Sequence, residues 1–548
     1  MLLLSDNHLS GALPYAIGNL ERLSSLALAN NDLSGAISSG IGKLVNLGSL
    51  NLCNNDIQGQ IPSDFVAMTA LRSLYMYDNS LTGTLPMDLH QLSNIAQFLF
   101  SGNSLTGTLP DEFAGLTNLQ VLDLTSNSFT GKLPESLGNL SESLELVTLT
   151  SNGFTGSIPA SWSNLQSVTS LYLNNNSLSG GFEILAEEGG APYASLKYLD
   201  FADNSLSSSI PTAMGLLTNL NRLRGMRNRL SGRIPSEFGN LRDLDALCLE
   251  ENTLTGGLPS ELGQLSELQR MNFSNNLLTA LFQPDTNFSN FNLLELEYLD
   301  LHENRISGPL FSELHQFQAL LLLDLGSNSI TGTIPTGIGG IPITYYLNLS
   351  HNLFTGSIPK ELSQITGIVE LDLSSNRLTG SIPEELQALA FRVPYINTCN
   401  FSDNQLSGQI PTILGRLVSL TALGLADNQL TSTIPQELEL LPYLKNLSVR
   451  NNPLCGPIPP NLTTIIDVEG NDLGSCPPST PTRHPHRPRR PYRAPHLPHR
   501  HPVHPHLLYH RLHLRHHLYH HIFHPRRWVM MIPNSPSLLL AALVACWP

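Results

Sequence analysis

Asparagine recurs along this chain at an almost constant interval. Of the eighteen intervals between the repeated asparagines, fourteen are 24 residues, one is 25 and three are 28. A common frame surrounds them, with apolar residues five and three positions before the asparagine and another two positions after it. A period of this length indicates a stack of similar coils instead of a compact globule. The nineteen repeat asparagines are Asn7, Asn31, Asn55, Asn79, Asn103, Asn127, Asn152, Asn176, Asn204, Asn228, Asn252, Asn276, Asn304, Asn328, Asn352, Asn376, Asn404, Asn428 and Asn452.

The frame predicts the fold of each coil. Two apolar residues separated by one residue place both side chains on one face of a short strand. The asparagine then follows at a turn, where its amide can donate to and accept from backbone groups of the bend and of the next coil. Glycine four positions later suits a tight bend, and proline seven positions later starts a short helical turn. We therefore expect a ladder of asparagine amides that runs through the whole stack.

One coil, LTNLQVLDLTSNSFTGKLPESLGNL at 116–140, resembles the plant-type leucine-rich repeat of receptor-like proteins and receptor-kinase ectodomains. The resemblance implies an α/β solenoid, a horseshoe or superhelix of about 19 coils with a parallel concave β-sheet and short helical or 3-10 convex segments. It also implies a second short strand near each TGxIP segment. The solenoid is assigned to 1–454, and the similarity of 455–476 to the family's closing cap implies a C-terminal cap there.

Three coil intervals are four residues longer than the others. They are 176–204, 276–304 and 376–404. The additional residues lie outside the strand and the asparagine turn, so we expect them on the convex side or at its edges, as loop variation.

The two ends of the array differ. The initial methionine already falls inside the first strand, where members of this family usually have a secretion signal and a cysteine-bearing cap, so we expect that the N-terminal cap is missing. At the other end, the resemblance implies a disulfide between Cys455 and Cys476. Cys399 replaces an inward apolar residue, whereas Cys53 and Cys248 occupy outward strand positions and are predicted to be free thiols.

Charge divides the chain into an acidic body and a basic tail. Residues 1–476 carry a formal charge of −25, and residues 477–548 carry +10 with ten arginines, fourteen histidines and no acidic residue or lysine. A segment of this composition cannot bury a core, and we expect the tail to be disordered. Two explanations remain open: an imidazole-rich tail that binds metals or anionic surfaces, and a serine-rich linker whose reading frame has shifted.

The sequence contains no recognisable catalytic motif. The five histidines of the solenoid lie in different coils, and no phosphate-binding loop, zinc-protease, serine-hydrolase or protein-kinase signature occurs. We therefore expect a binding protein and not an enzyme, with no cofactor, no metal site and no nucleic-acid partner. No apolar run reaches the roughly 18 residues of a membrane-spanning helix, so membrane attachment would need segments outside this sequence.

Outward strand positions provide the candidate binding surface. They lie six, four, two and one positions before each repeat asparagine, and most carry Ser, Asp, Asn or Ala. Over coils ten to twelve they carry a cluster of arginines, and Arg and Tyr are the side chains enriched in interface hot spots. The cluster is predicted to contact an anionic peptide or glycan; the alternative is a set of solvated charges that pair across coils. The candidate ligand-binding residues are Arg222, Arg224, Arg227, Glu250, Arg270, His302, Tyr172 and Tyr198.

Eight N-x-[ST] sequons make the chain a candidate glycoprotein. Three of them, Asn272, Asn348 and Asn400, occupy outward strand positions, where a glycan would cover part of the concave sheet and favour a ligand site at coils nine to eleven. The full set is Asn139, Asn175, Asn272, Asn287, Asn348, Asn400, Asn446 and Asn461.

Three functions are compatible with these features. The first is the recognition module of a receptor-like protein, or of a receptor kinase that has lost its membrane and kinase parts. For it the resemblance implies signalling at the cell surface or outside the cell, and binding of a peptide, a cell-wall glycan or a co-receptor. The second is a secreted inhibitor of cell-wall-degrading enzymes, which typically has fewer coils. The third is an intracellular protein-interaction scaffold, which the implied disulfide and the sequons disfavour.

Overall fold

The computed structural model of the chain describes residues 1–182, 193–281, 292–341, 344–389, 396–474 and 476. All of them belong to one compact unit, Met1–Pro477. The basic tail, parts of the three long intervals and the sequon Asn287 lie outside the described residues, so the expectations for these segments remain predictions.

Twenty parallel strands form one continuous sheet, one from each repeat coil and a last one from the C-terminal cap. Residues at the same repeat position lie side by side, so Leu122 pairs with Phe98 of the coil before it and with Val147 of the coil after it. The strands are Leu2–Leu3, Ser25–Ala27, Ser49–Asn51, Ser73–Tyr75, Gln97–Leu99, Val121–Asp123, Leu146–Thr148, Ser170–Tyr172, Tyr198–Asp200, Arg222–Arg224, Ala246–Cys248, Arg270–Asn272, Tyr298–Asp300, Leu322–Asp324, Tyr346–Asn348, Glu370–Asp372, Thr398–Asn400, Ala422–Gly424, Asn446–Ser448 and Ile466–Asp467.

The inward side chains of this sheet build the core. Leu122 and Leu124, five and three positions before Asn127, are fully buried, and so is Phe129 beyond the turn. Neighbouring coils stack the same positions, so the ring of Phe129 lies 6.2 Å from that of Phe154 and nearly parallel to it. Burying one such side chain contributes about 1.5–3 kcal/mol, and the repeat provides several of them in each coil.

The repeated asparagines after the first form the expected ladder of amides, which are buried or half-buried. In coil eleven, the Asn252 Nδ2 donates to the carbonyl oxygens of Leu249 and Glu250, both at 3.1 Å, and to that of Gly225 at 3.0 Å. The Asn252 Oδ1 accepts from the backbone N–H of Leu230 at 2.9 Å. Each amide therefore closes its own turn and joins it to the neighbouring coil.

The ladder runs in the direction opposite to the one expected, because each amide contacts the preceding coil and not the next. The residue before each repeat asparagine has a positive φ, 54° at Glu251 for example, which turns the chain so that the asparagine side chain points back. The first repeat asparagine, Asn7, accordingly bonds only the carbonyls of Leu4 and Ser5 in its own coil and is exposed. A twentieth amide in the cap, Asn471, continues the ladder, although the shorter spacing hides it from a search for the period.

A second strand follows the asparagine in most coils, as the resemblance implied. These strands form four separate sheets instead of one. Two of the breaks fall at the intervals 176–204 and 276–304, where the sequence loses its Gly-x-Ile-Pro segment, whereas the long sheet continues across both. The strands are Ser10–Gly11, Asp32–Gly35, Asp56–Gln60, Ser80–Gly83, Ser104–Gly107, Ser128–Lys132, Gly153–Gly156, Ser177–Leu178, Ser231–Arg233, Thr253–Gly257, Leu277–Ala280, Ser307–Pro309, Ser329–Thr331, Thr355–Gly356, Arg377–Gly380, Gln405–Gln409 and Gln429–Thr431.

The outer segment of each coil whose bounds the structure gives is a 3-10 helix of three to five residues. Proline usually precedes it in an extended conformation, and short segments of this kind suit 3-10 geometry. None of the helical segments in the described ranges has the length and hydropathy needed to cross a bilayer. The 3-10 helices are Tyr15–Asn19, Ser39–Lys43, Ser63–Ala67, Leu89–Gln91, Asp111–Gly115, Glu135–Asn139, Ala160–Asn164, Thr212–Leu216, Ser236–Asn240, Ser260–Gln264, Ser312–Gln316, Thr336–Gly340, Lys360–Gln364, Glu384–Gln387, Thr412–Arg416, Gln436–Leu440 and Pro460–Leu462.

The cysteines divide into one bridge and three thiols among the described residues. Cys455 and Cys476 form a disulfide within the cap. Cys399 is buried in the core, and Cys53 and Cys248 are also buried although they occupy outward positions, because neighbouring side chains cover them. Burial raises the pKa of Cys53 to about 11 and that of Cys248 to about 12, so both remain protonated at neutral pH.

Removing the cap disulfide is expected to destabilise the C-terminal coils locally. The bridge joins residues separated by 21 positions, and a loop of that length contributes about 3 kcal/mol in the chain-entropy account. Because each coil contacts only its neighbours, the Cys455→Ser, Cys476→Ser variant should exchange amide hydrogens faster from about 446 onward and normally in coils one to fifteen. Reducing the wild type should reproduce this pattern, and uniformly faster exchange along the chain would contradict it.

Candidate functional site

The candidate site lies on the solvent-facing side of the long sheet, which we call the sheet face. Alternation along each strand places the positions six, four and two before the repeat asparagine on this side. Parallel stacking places equal positions of successive coils about 4.8 Å apart. One row therefore runs Tyr198, Arg222, Ala246, Arg270 and Tyr298 across coils nine to thirteen.

Three arginines of this face form a positively charged group, which we call the arginine group: Arg222, Arg224 and Arg270. The Arg222 Nε lies 3.1 Å from the Asp245 Oδ1. All three arginines lower the pKa of the Asp245 carboxyl, against the dominant effect of its burial, which raises that pKa. Three cations thus act on one half-buried carboxylate, and Asp200 is the strand partner of Arg224 on the other side. Sequence analysis missed Asp245, because it lies just before the strand, outside the positions that were searched.

Tyrosines flank the arginine group on both sides. The Arg222 guanidinium lies 6.0 Å from the ring centre of Tyr198, and the Arg270 guanidinium lies 5.0 Å from that of Tyr298. Cation–π contacts of this kind orient the cation over the ring and contribute about 0.5–1 kcal/mol at exposed sites. Tyr172 lies in coil eight, and Asp200 stands between it and Arg224 in the same row.

Arg227 behaves as the alternative reading predicted, since its charge is paired across coils. Its guanidinium lies 3.2 Å from the Asp203 Oδ1 and 2.9 Å from the Glu251 Oε1, in the coils before and after it. The hydrogen bonds that Arg227 donates to these two carboxylates raise its pKa. Such half-exposed pairs contribute about 0–1 kcal/mol each, and we assign Arg227 to this cross-coil network instead of the arginine group.

Glu250 is a largely buried carboxylate next to the arginine group. Its Oε2 is buried and has no hydrogen-bond partner among the described residues. Burial raises the pKa of Glu250 to about 7; nearby Asp300 acts in the same direction, and Arg224 and Arg227 oppose it. The carboxyl therefore changes charge close to neutral pH.

Glu250 makes the stability of the fold depend on pH in a defined direction. Because its folded-state pKa of about 7 lies above the ordinary value of 4.5, the folded chain keeps a proton that the unfolded chain has released between these values. The stabilisation that this retained proton gives is complete below the unfolded-state pKa of 4.5. It is lost as the pH rises through the folded-state pKa of about 7. Glu250→Gln is therefore expected to raise the free energy of unfolding by about 1–3 kcal/mol at pH 8 and by little at pH 5.

Thermal melts at both pH values check this prediction. Glu385→Gln, at an exposed glutamate of the outer 3-10 helix Glu384–Gln387, is the matched control and should change the melt little at either pH. An equal effect of Glu250→Gln at pH 5 and pH 8 would contradict the assignment.

His302 belongs to a second group of charges, in coils thirteen and fourteen. Its Nδ1 lies 2.7 Å from the Asp300 Oδ1, and its Nε2 lies 3.2 Å from the Asn275 Nδ2. The bond to Asp300 is the main cause that raises the pKa of His302. Asp324 follows Asp300 in the next strand, and the sequence search named neither aspartate as a candidate.

The three sequons on outward strand positions have half-buried amides. Each asparagine Oδ1 accepts from the backbone N–H of the serine two positions later, at 3.0 Å for Asn272, 2.9 Å for Asn348 and 3.2 Å for Asn400. Four further sequons expose the asparagine, and their glycosylation remains a prediction; they are Asn139, Asn175, Asn446 and Asn461.

Family models described as leucine rich repeat match this chain, whereas no curated protein does. One model matches residues 318–378. A second, single-repeat model matches 46–68, 70–92, 118–140, 195–217, 295–317 and 443–465.

Solved structures extend the likeness to nearly the whole solenoid. A plant peptide hormone receptor, RGFR1, in complex with RGF2, is 32% identical with a TM-score of 0.79 over 86% of this chain and 78% of that one. The Arabidopsis receptor kinase HAESA, in complex with the peptide hormone IDA and the co-receptor SERK1, is 30% identical with a TM-score of 0.70 over 86% and 81%. A TDR receptor is 28% identical with a TM-score of 0.69 over 86% and 88%. With the amide ladder in its coils and this extent of likeness, the chain belongs to the leucine-rich repeat family and has the architecture of plant receptor-kinase ectodomains.

Proposed function

We propose that this chain is an extracellular ligand-binding module, not an enzyme, and that it binds an anionic peptide on the sheet face over coils nine to thirteen. The arginine group is the observation that carries the proposal. The similarity to a peptide hormone receptor and to a receptor kinase that are both solved with bound peptides favours a peptide over a glycan.

The arrangement of the arginine group suits an acidic ligand. Arg222, Arg224 and Arg270 project from the same face of the sheet within three successive coils, so one ligand carboxylate can accept hydrogen bonds from more than one of them. Charge-assisted hydrogen bonds from arginine to carboxylate are stronger than neutral ones and are often bidentate. Arginine and tyrosine together are typical of the residues that dominate binding energy at interfaces.

The scaffold adds to binding by holding these side chains in place before the ligand arrives. The arginines project from two strands that flank the strand Ala246–Cys248, and the register of both is fixed on each side. A preorganised surface loses less conformational entropy on association than a mobile one. We therefore expect the ligand to order on binding while the sheet face changes little.

A panel of matched peptides tests the proposal. Each pair shares one sequence, with Asp and Glu in one member and Asn and Gln in the other, and a Lys-rich set is added. The best acidic peptide should bind the full chain at least 10-fold more tightly than its amide counterpart, with an affinity that falls as salt rises. Because residues 1–476 carry −25, a chain without a specific anion site on its solenoid would favour the Lys-rich peptides there. Equal binding within every acid and amide pair, or preference for the Lys-rich set, would contradict the proposal.

A further inference from the structure

A histidine and two aspartates of the sheet face converge on one point in coils thirteen and fourteen. Asp300 and His302 lie four and two positions before their repeat asparagine, so both point to the same side of the sheet. Asp324 is the strand partner of Asp300 in the next coil. One ligand atom from each of the three side chains lies within 4.8 Å of the other two.

The two carboxylates are buried, which distinguishes them from ordinary surface acids. Asp300 is 6% exposed and Asp324 is 8% exposed, and buried carboxylates are normally paired or bind a metal ion. The Asp300 Oδ2 accepts from the Tyr298 hydroxyl at 3.2 Å. The Asp324 Oδ1 accepts from the Gly326 N–H and from the Asn348 Nδ2, both at 2.9 Å. These donors fix the orientation of the carboxylates, as the outer hydrogen bonds of metal ligands do.

Glycine at position 326 leaves room for the Asn348 amide that holds Asp324. It lies in the coil next to His302, where its carbonyl accepts from the Glu303 N–H at 3.0 Å. A Cβ atom at this position would approach the Asp324 Oδ1 to 3.1 Å and the Asn348 Nδ2 to 2.6 Å. Any other residue would displace the amide that holds Asp324. The His302 side chain is 32% exposed, so the group can be reached from solvent.

We propose that Asp300, His302 and Asp324 bind a divalent first-row metal ion such as Mn²⁺ on the sheet face. One imidazole nitrogen and two carboxylate oxygens are a suitable ligand set for such an ion. They suit Ca²⁺ less, because Ca²⁺ takes oxygen ligands, and they suit soft ions less, because these prefer thiolates. Ligand atoms around an ion at about 2.1 Å lie about 3 Å apart, so the group contracts when the ion binds. The ion replaces the proton that joins the His302 Nδ1 to the Asp300 Oδ1, and that proton is released to solvent.

The sequence did not predict this site, because the three residues match no metal-binding motif. Asp300 and His302 are two residues apart, and Asp324 follows 22 residues after His302. The repeat alone brings them together. The inference does not depend on whether a peptide binds the arginine group.

Binding of Mn²⁺ to the full chain tests the site. The free ion has a six-line electron paramagnetic resonance signal that decreases on binding, which gives stoichiometry and affinity. Mn²⁺ is the chosen probe because the basic tail offers imidazoles but no carboxylate side chains, and imidazole-only sites favour Zn²⁺, Cu²⁺ and Ni²⁺. We expect one Mn²⁺ per chain, and at least 10-fold weaker binding in His302→Gln and in Asp324→Asn.

Two controls keep the result interpretable. His315→Gln, at an exposed histidine of the outer 3-10 helix Ser312–Gln316, should bind Mn²⁺ like the wild type. Thermal melts check that each variant is folded, and His302→Gln alone decides the test if Asp324→Asn does not fold. Absence of Mn²⁺ binding at millimolar concentration, or equal binding by the wild type and His302→Gln, would overturn the proposal.

Discussion

Replacing Asn252 by alanine is expected to lower the free energy of unfolding by about 3–5 kcal/mol. The substitution removes four hydrogen bonds of a buried amide. The Leu230 N–H loses its acceptor, and the Gly225 carbonyl keeps only the 3.3 Å bond from the Asn228 Nδ2. Each buried backbone group left unpaired costs about 1–3 kcal/mol. The measurement is the midpoint of chemical and thermal denaturation, followed by circular dichroism.

Asn7→Ala is the matched control, because it is the same substitution at a repeat asparagine whose side chain bonds only within its own coil. Asn7 is exposed and bonds only the carbonyls of Leu4 and Ser5. Water can replace the hydrogen bonds of exposed backbone groups when the side chain is removed. We therefore expect the free energy of unfolding to change by less than about 1 kcal/mol. If Asn252→Ala and Asn7→Ala destabilise the chain equally, bonding between coils is not what the amides contribute.

Reversing two charges of the arginine group is expected to weaken ligand capture strongly. Thermal melts check that the variant is folded, because Arg224 is the strand partner of Asp200. The Arg224→Glu, Arg270→Glu variant should bind the best acidic peptide at least 100-fold more weakly, a loss of about 2.8 kcal/mol or more. Two arginines that attract the ligand carboxylate are replaced by two glutamates that repel it. Arg222 is left in place because reversing it would set two carboxylates against each other at its contact with Asp245.

Arg416→Glu is the control for this variant. It makes one charge reversal of the same kind on the exposed outer 3-10 helix Thr412–Arg416, away from the sheet face. Both variants keep the ten arginines of the tail, so a peptide that binds only the tail would bind all three proteins alike. That outcome, or a loss of binding in Arg416→Glu of the same size, would exclude the arginine group as the ligand site.

Much of the fold could be predicted because a repeat of fixed length converts positions in sequence into neighbours in space. Arg222 and Arg270 are 48 residues apart, yet the period alone places them two strands apart in one row. The direction of the ladder could not be predicted, since it depends on the positive φ of the residue before each asparagine. At Glu251 and other coils that residue is not a glycine, so the sequence gives no clear signal for it.

The charge pairing within the site was less predictable, because it depends on which side chains contact each other. Asp245 lies outside the strand frame, yet all three arginines of the group lower the pKa of its carboxyl. Arg227 shares the sheet face with that group, but its contacts with Asp203 and Glu251 neutralise it. Pairing of this kind depends on side-chain conformation and burial, which the period of the repeat does not determine.

Photo-crosslinking of the best acidic peptide is the most direct test of the central claim, that the ligand lies on the sheet face over coils nine to thirteen. A benzophenone at successive peptide positions would be activated on the full chain, and the attached residues identified by mass spectrometry. We expect attachment to sheet-face side chains of these coils, including Tyr198, Met226 and Tyr298. Attachment confined to the outer 3-10 helices or to the tail would contradict the claim.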